Sequence, residues 1–188
     1  MPIDPENSWI ETVNKLPPTK TAPEGFKALA KAVDACVTSK AQLTGIVGPP
    51  PTFTFNKALF LTGLLSMGPV PATPAGVTAF VQAWAGAVTA SVMVVSPGSA
   101  FGAAAPPTLF SVVISAILDP PSLAAAQSAL IAELTASGLK PVKNYKDSKV
   151  GPGMLKAFKL LSYTVTGLNS IPPPAGPLPL VAPLCLLM

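Results

Sequence analysis

Neither histidine nor arginine occurs in this chain of 188 residues. Histidine is the commonest general base and the commonest metal ligand, so its absence argues against the usual kinds of enzyme and metal site. Arginine is the side chain that nucleic-acid-binding proteins use most to contact phosphate and guanine. We therefore expect no metal, no cofactor and no nucleic-acid partner.

Charged residues are also scarce, and none lies between Ala58 and Leu118. They form 11% of the chain, against about 25% in ordinary globular proteins. A water-facing helix normally keeps a charged stripe opposite its apolar face, and this segment has none. Apolar residues make up 49% of the chain, which excludes a wholly disordered protein. Most of segment 58–118 is therefore predicted to contact other protein or lipid.

Long uninterrupted apolar runs are missing too. The chain has 24 prolines, and they divide its apolar segments, whereas a membrane-spanning helix needs roughly 20 consecutive apolar residues. Residues 79–95 come nearest to that length, but Gln82, Thr89 and Ser91 lower their hydrophobicity. We interpret this segment as a buried helix, with a membrane span as the alternative.

The two cysteines are Cys36 and Cys185. They are too few for a disulfide framework and too far apart for a zinc ribbon, and whether they pair with each other stays open. Cys185 begins a C-terminal pattern typical of prenylation, but no lysine lies near it to supply a second membrane signal. We predict that Cys185 is buried and not lipidated.

Motifs for catalysis are absent from the sequence. It contains no glycine-rich phosphate loop, no Gly-x-Ser-x-Gly turn and no close pair of carboxylates. Asp34, Asp119 and Glu133 could meet only through folding, and each has a local explanation, as surface charge, helix cap and exposed helix position respectively. No catalytic residue is predicted.

A basic patch recurs at every third residue and consists of Lys140, Lys143, Lys146 and Lys149. Such a patch could neutralise phosphates or bind an acidic partner. It could equally be a solvated loop that keeps an apolar protein soluble. Asp147 within the patch and the absence of arginine favour the solvated loop.

Local capping patterns predict a series of short helices. Thr21 with Glu24 forms a capping box, and Thr73 and Asp119 each precede a proline at a first helical position. These starts and the spacing of apolar residues predict helices over about 4–16, 21–44, 56–67, 73–95, 108–118, 119–137 and 154–164. Segment 108–118 is rich in Val and Ile and fits a strand equally well, and it is assigned as a helix because its neighbours are helices. The predicted fold class is all-α, with five to seven short helices broken by Pro/Gly loops.

Residues 82–91 are similar in sequence to residues 128–137, since both contain the pattern Thr-Ala-Ser after an Ala-rich helical stretch. A duplicated helical hairpin would explain the similarity. Chance matching of two Ala-rich helices is the explanation that we favour.

The C-terminal residues 171–188 follow the predicted helical domain 1–170 and contain six prolines. Proline opposes a helix and removes backbone donors that a central strand needs. The segment is therefore predicted to be an extended, polyproline-like arm. Its leucines would be costly to leave in water, so the arm should lie in a groove of its own domain or of a neighbouring copy.

The Ala-, Thr- and Val-rich helices, as in Phe80-Val81-Gln82-Ala83-Trp84, and the low-complexity tail from Pro172 to Pro183 resemble those of small virion structural proteins of tailed bacteriophages. The resemblance implies a virion subunit of a capsid, neck, tail or baseplate, whose partners are copies of itself and other structural subunits. We predict such a non-enzymatic subunit, with an interface formed by Phe80, Trp84, Val88, Leu178, Leu180 and Leu184. The alternative is an integral or membrane-active protein that uses segment 58–118.

Overall fold

Helices and antiparallel strands alternate in this protein, so the all-α prediction is wrong. The computed structural model describes residues 12–13, 15–16, 21–38, 41–43, 46–47, 49, 51–67, 73–96, 100–101, 108–109, 114–136, 149–167 and 178–186. Five helices lie in these ranges: α1 (Ala22–Val37), α2 (Lys57–Ser66), α3 (Pro74–Thr89), α4 (Pro120–Ala136) and α5 (Val150–Leu160). The strands are β1 (Ala41–Leu43), β2 (Ile46–Val47), β3 (Thr52–Thr54), β4 (Val92–Val95), β5 (Ala100–Phe101), β6 (Thr108–Leu109), β7 (Ile114–Leu118), β8 (Ser162–Gly167) and β9 (Leu178–Leu186).

The predicted helix starts are confirmed where a side chain caps the first turn. Thr21 Oγ1 accepts a hydrogen bond from the Glu24 amide at 3.4 Å, and Thr73 Oγ1 accepts one from the Gly76 amide at 3.2 Å. Each cap satisfies one of the amides that the first turn leaves without a helical partner. Most of the predicted N-terminal helix, residues 4–16, lies outside the described residues.

The predicted helix ends and the segment 108–118 need correction. Helix α3 ends at Thr89, and Val92–Val95 form β4 instead of its last turn. Residues 108–109 and 114–118 form β6 and β7, and α5 stops at Leu160 before β8. β4, β7 and β8 are short and contain Val, Ile, Thr or Tyr, which pack well on a pleated sheet. β4 pairs with β3, and β7 pairs with β8, across two intervening helices, whereas β6 pairs with the nearby β5.

The main sheet is antiparallel, with strand order β1-β9-β8-β7-β4-β3, and β2, β5 and β6 form a second, three-stranded sheet. Strands β3 and β7 run in the same direction, since both are antiparallel to β4. The hairpins α2–α3 and α4–α5 therefore leave and re-enter the sheet at the same end. Helix α1 enters at that end as well, because the alternation of strand directions places the start of β1 there. The three-stranded sheet lies beyond the other end of the main sheet, because β2 follows the end of β1 and β5 follows the end of β4.

Two strand–helix–helix–strand units make up the centre of the molecule, β3-α2-α3-β4 and β7-α4-α5-β8. Neighbouring helices pack in chain order, from α1 on α2 to α4 on α5. Residues 82–89 belong to the second helix of the first unit, whereas residues 128–136 belong to the first helix of the second unit. The similarity between those two segments therefore does not correspond to the structural repeat.

The core lies between the helices and one face of the sheet. The side chains buried on this face of the sheet include Phe53, Met93, Val95 and Tyr163. The rings of Phe53 and Tyr163 have centroids 6.3 Å apart, although two strands separate β3 from β8 in the sheet order. The edge strands β1 and β3 also approach each other. The sheet is thus strongly curled around its buried face.

Residues 178–186 form β9, an interior strand between β8 and β1, and not an arm in a groove. The prediction that the prolines exclude an interior strand is wrong. The pairing register of β9 with β8 and β1 explains why. Pro179 and Pro183 lie opposite Thr166 and Ser162 of β8, and β1 pairs only with residues 184–186. Counting along β9, both prolines belong to the same alternating set of residues. The backbone amides of the other set can therefore donate hydrogen bonds to β8.

Candidate interaction surface

The three acids considered for catalysis each have a separate structural contact. Asp34 accepts hydrogen bonds from Thr38 Oγ1 at 2.8 Å and from Lys57 Nζ at 2.7 Å. Glu133 forms an ion pair with Lys156 at 3.5 Å. Asp119 caps α4 and lies about 21 Å from Glu133 along the helix, at about 1.5 Å per residue. Asp119 and Glu133 therefore cannot act on one substrate atom.

Asp119 belongs to a polar network that closes the second helical hairpin at the sheet. Its Oδ2 accepts hydrogen bonds from the Ser122 amide at 3.1 Å and from Ser162 Oγ at 3.2 Å. Its own amide donates to the Ser162 carbonyl oxygen at 2.9 Å. Residue 119 follows β7 and residue 162 begins β8, so the network joins the two ends of the hairpin.

The first hairpin is closed in the same way by Asn56 and Ser91. Asn56 Oδ1 accepts a hydrogen bond from the Leu59 amide at 3.0 Å, which caps α2. The backbone amide of Asn56 donates a hydrogen bond to Ser91 Oγ at 3.0 Å. In both hairpins an Asn or Asp cap is hydrogen-bonded to a serine where the returning strand starts, and this structural role accounts for these polar residues.

The structure describes one residue of the predicted basic patch. Lys149 is exposed and directly precedes α5, while Lys140, Lys143 and Lys146 lie outside the described residues. In the described part of the chain, no group of three or more acidic or cysteine side chains could hold a metal ion. None of the helices that the structure describes is long and apolar enough to cross a membrane.

The helical residues of the predicted interface lie in the core of the chain. Trp84 and Val88 are fully buried and Phe80 is 6% exposed. The Trp84 ring packs edge-on against Phe158, with centroids 5.4 Å apart. A contact between copies would therefore have to use other side chains. For Leu178, Leu180 and Leu184 the structure describes the backbone, which pairs with Gly167, Val165 and Leu43 respectively.

Two polar atoms are buried in the described core without a hydrogen-bond partner, Trp84 Nε1 and Tyr163 Oη. Burial raises the pKa of the Tyr163 hydroxyl well above its ordinary value. The hydroxyl therefore remains protonated at physiological pH and is shielded from solvent. Tyr163 acts as an apolar core residue.

The outer face of the curled sheet presents a row of uncharged β-branched residues, which we call the outer row: Thr54, Val92, Ile117 and Thr164. Thr54 pairs with Val92, and Ile117 pairs with Thr164. Met93 pairs with Ala116 in an antiparallel ladder. The next residues along the two strands, Val92 and Ile117, therefore lie opposite each other. The row spans four strands, or about 14 Å at about 4.8 Å per strand spacing.

The two aliphatic members of the outer row have the highest exposures among the large apolar side chains described. Ile117 is 67% exposed and Val92 is 49% exposed, whereas the neighbouring Met93 is fully buried. This surface was not predicted from the sequence. The signal available was the continuous apolar run of Val92–Val95, because a strand with one wet face normally alternates apolar and polar residues.

A second uncharged surface lies on the first helical hairpin. Leu59 and Leu65 of α2 are 42% and 41% exposed. The residues Thr78, Gln82 and Gly86 of α3 are exposed as well. Lys57 is the one charged residue in the two helices. A Cβ atom added at Gly86 would meet no heavy atom within 4 Å. No other part of the chain that the structure describes therefore packs closely against α3 at Gly86.

The chain was compared with protein-family models, with curated proteins and with solved structures, and none of them matches it.

Proposed function

We propose that this protein is a non-enzymatic structural subunit that is built into a large assembly through its uncharged outer surfaces. The observation that carries the proposal is the outer row, where Ile117 is 67% exposed and Val92 is 49% exposed on a sheet whose other face is the core. Large contiguous apolar patches on soluble proteins mark interaction sites, and the outer row is the place where we propose such a site. Burial of this face by other subunits would explain why the sequence keeps charge away from residues 58–118.

The particle that we propose is a virion of a tailed bacteriophage, in its capsid, neck, tail or baseplate. This part of the proposal rests on the resemblance of the Ala-, Thr- and Val-rich helices and the Pro-rich C-terminal segment to such subunits. The partners would be copies of this chain and other structural subunits, and no cofactor takes part.

Sedimentation of the protein from the cells that produce it naturally tests the proposal. A small epitope tag placed at the N-terminus avoids β9, and the lysate is separated on a density gradient with and without mild detergent. We expect the chain to sediment with large particles in both conditions. A chain that remains at the top of the gradient, at the mass of a monomer, would contradict the proposal.

The membrane alternative gives a different result in the same experiment. A membrane-bound chain would float or pellet with lipid and would be released by detergent, and it would resist a carbonate wash of the membranes. Electron microscopy of the detergent-resistant fraction then tests the virion: tailed particles containing the chain support it, and particles without tails overturn that part of the proposal.

A further inference from the structure

We infer that the molecule contains a third strand–helix–helix–strand unit, which is divided between the two ends of the sequence. Its outgoing strand is β9 and its returning strand is β1, and its helices are the one that includes residues 12–13 and α1. We call β3-α2-α3-β4 the first unit and β7-α4-α5-β8 the second. The third unit is independent of the proposed function, since it concerns how the chain closes on itself.

The main sheet places β9 and β1 as it places the strands of the other two units. Because all neighbours in the sheet are antiparallel, the outgoing strands β3, β7 and β9 run in the same direction. In each unit the last residue of the outgoing strand pairs with one of the first two residues of the returning strand: Thr54 with Val92, Leu118 with Tyr163, and Leu186 with Ala41. All three pairs therefore lie at the end of the sheet where the helices connect.

The second helix and the returning strand of the third unit match those of the first at a constant separation in sequence. Strand β1 begins at residue 41, and β4 begins 51 residues later, at residue 92. Seven buried residues of α1 have a buried counterpart 51 residues later in α3: Gly25, Phe26, Leu29, Ala30, Val33, Cys36 and Val37. The remaining buried residue of α1, Ala32, corresponds to Ala83, which is partly buried against the core. Helix face and strand start thus agree at one separation.

The same separation relates the preceding helices. Val13 is fully buried, and so is Leu64 of α2, 51 residues later. Leu16 and Met67 are again 51 residues apart, and both pack, partly buried, against the core. Between residues 25 and 38, five of the 14 residues are identical to the residue 51 positions later. Sequence and burial therefore both relate the N-terminal part of the chain to the first unit.

Contacts between α1 and the first unit close the curled sheet. Thr38 Oγ1, directly after α1, accepts a hydrogen bond from the backbone amide of Phe55, directly after β3, at 3.2 Å. Lys57 Nζ of α2 lies 2.7 Å from Asp34 Oδ2 of α1. The edge strands β1 and β3 also approach each other. The three units thus follow one another around the curled sheet, with the third lying between the second and the first.

A circular permutant tests whether the divided unit can be made continuous. Residue 188 is joined to residue 1 through a flexible linker of about eight Gly and Ser residues, and the new ends are placed within residues 97–99, between β4 and β5. All three units are then uninterrupted. We expect cooperative urea unfolding with a midpoint within about 0.5 M of the wild-type value.

The matched control for the permutant keeps the natural chain order and carries the same linker as an insertion within residues 97–99. It isolates the effect of disturbing that connection. A permutant without a cooperative transition, beside a control that keeps one, would overturn the third unit.

An exchange of helix sequence tests the equivalence of α1 and α3 and not only the proximity of the chain ends. Residues 25–38 are replaced by the sequence of residues 76–89 in one variant and by that of residues 78–91 in the control. The shift of two residues turns the buried face by about 200°. The changes Leu29→Phe and Val33→Trp, which the matched exchange includes, should lower its urea midpoint but leave a cooperative transition, whereas the shifted control should lose the transition. Equal behaviour of the two variants would overturn the third unit.

Discussion

Aromatic side chains join the helices to the sheet in this core. Phe158 of α5 packs edge-on against Trp84 of α3 and against Phe55 next to β3, with centroid separations of 5.4 and 6.1 Å. Phe55 in turn contacts Phe60 of α2 at 5.7 Å. Edge-on aromatic pairs contribute about 0.5–1.5 kcal/mol beyond the area that they bury. The cluster therefore holds three helices against the same sheet edge.

Tyr163→Phe should raise the free energy of unfolding by about 1 kcal/mol at neutral pH. The Tyr163 hydroxyl is buried without a hydrogen-bond partner, and an unsatisfied buried polar group is costly, while the phenyl ring keeps the packing against Phe53. Urea denaturation measures the change. Tyr145→Phe, at the only other tyrosine, controls for general effects, and a loss of stability in Tyr163→Phe would show that the hydroxyl has a partner.

The advantage of Tyr163→Phe should grow above about pH 10, the ordinary pKa of tyrosine. Burial raises the pKa of Tyr163 in the folded state, so above that pH only the unfolded state releases the proton. The wild-type chain then loses about 1.4 kcal/mol of stability per pH unit from this group, and the phenylalanine variant does not. Lysine titration affects both chains alike, so the difference between their unfolding free energies at about pH 8 and about pH 11 is the measurement. A constant difference would contradict the shifted pKa.

At the scale of elements, the helical hairpins depend on close contact between their two helices. In the first hairpin, a Cβ atom added at Gly63 of α2 would lie 2.7 Å from Ala83 Cβ and 3.2 Å from Ala83 Cα of α3. Both atoms are held by the α3 backbone, so the two helices would have to move apart. Gly63 therefore sets the distance between α2 and α3.

Gly63→Ala should lower the free energy of unfolding by about 1–2 kcal/mol. Overpacking costs typically about 1–3 kcal/mol, and the better helix propensity of alanine returns up to about 1 kcal/mol. Gly86→Ala is the matched control on α3, because its new Cβ meets nothing within 4 Å, and it should stabilise by about 0.5–1 kcal/mol. Urea midpoints of the two variants give the comparison, and equal stabilisation by both would contradict the close approach.

At the scale of the whole molecule, the C-terminal strand completes the sheet. Strand β9 pairs with β8 from residue 162 to residue 167 and with β1 from residue 41 to residue 43, and it also packs against α5. Without β9, β1 and β8 would lose their shared neighbour, and their backbone groups would need other partners. Strand β9 is thus an interior part of the main sheet.

Deletion of residues 171–188 should abolish cooperative unfolding and not merely weaken assembly. The truncated chain loses an interior strand, so we expect a broad thermal transition by circular dichroism and strong binding of a hydrophobic dye. Deletion of residues 187–188 alone leaves β9 whole and should preserve a sharp transition. A truncated chain that unfolds as sharply as this control would show that β9 is dispensable.

The sequence by itself determined the features that depend on neighbouring residues. The starts at Thr21, Asn56, Thr73 and Asp119 were predictable, because a cap and its amide partner are three residues apart or fewer. The amphipathic stripe of α1 was predictable for the same local reason. The low charge of segment 58–118 also indicated uncharged surface, although not where on the fold that surface would lie.

Only the tertiary structure decided which short apolar runs are strands and which surface they leave exposed. Val92–Val95, Ile114–Leu118 and Ser162–Gly167 become strands through pairing with residues far along the chain, and period alone does not separate such runs from helix ends. Strand β9 accommodates its prolines because the register places both in the same alternating set of residues. The backbone amides of the other set can still donate hydrogen bonds to β8. Val92 and Ile117 become neighbours through that same long-range pairing. Trp84, which looked like an interface residue in an uncharged helix, is buried because the helices and the curled sheet enclose it.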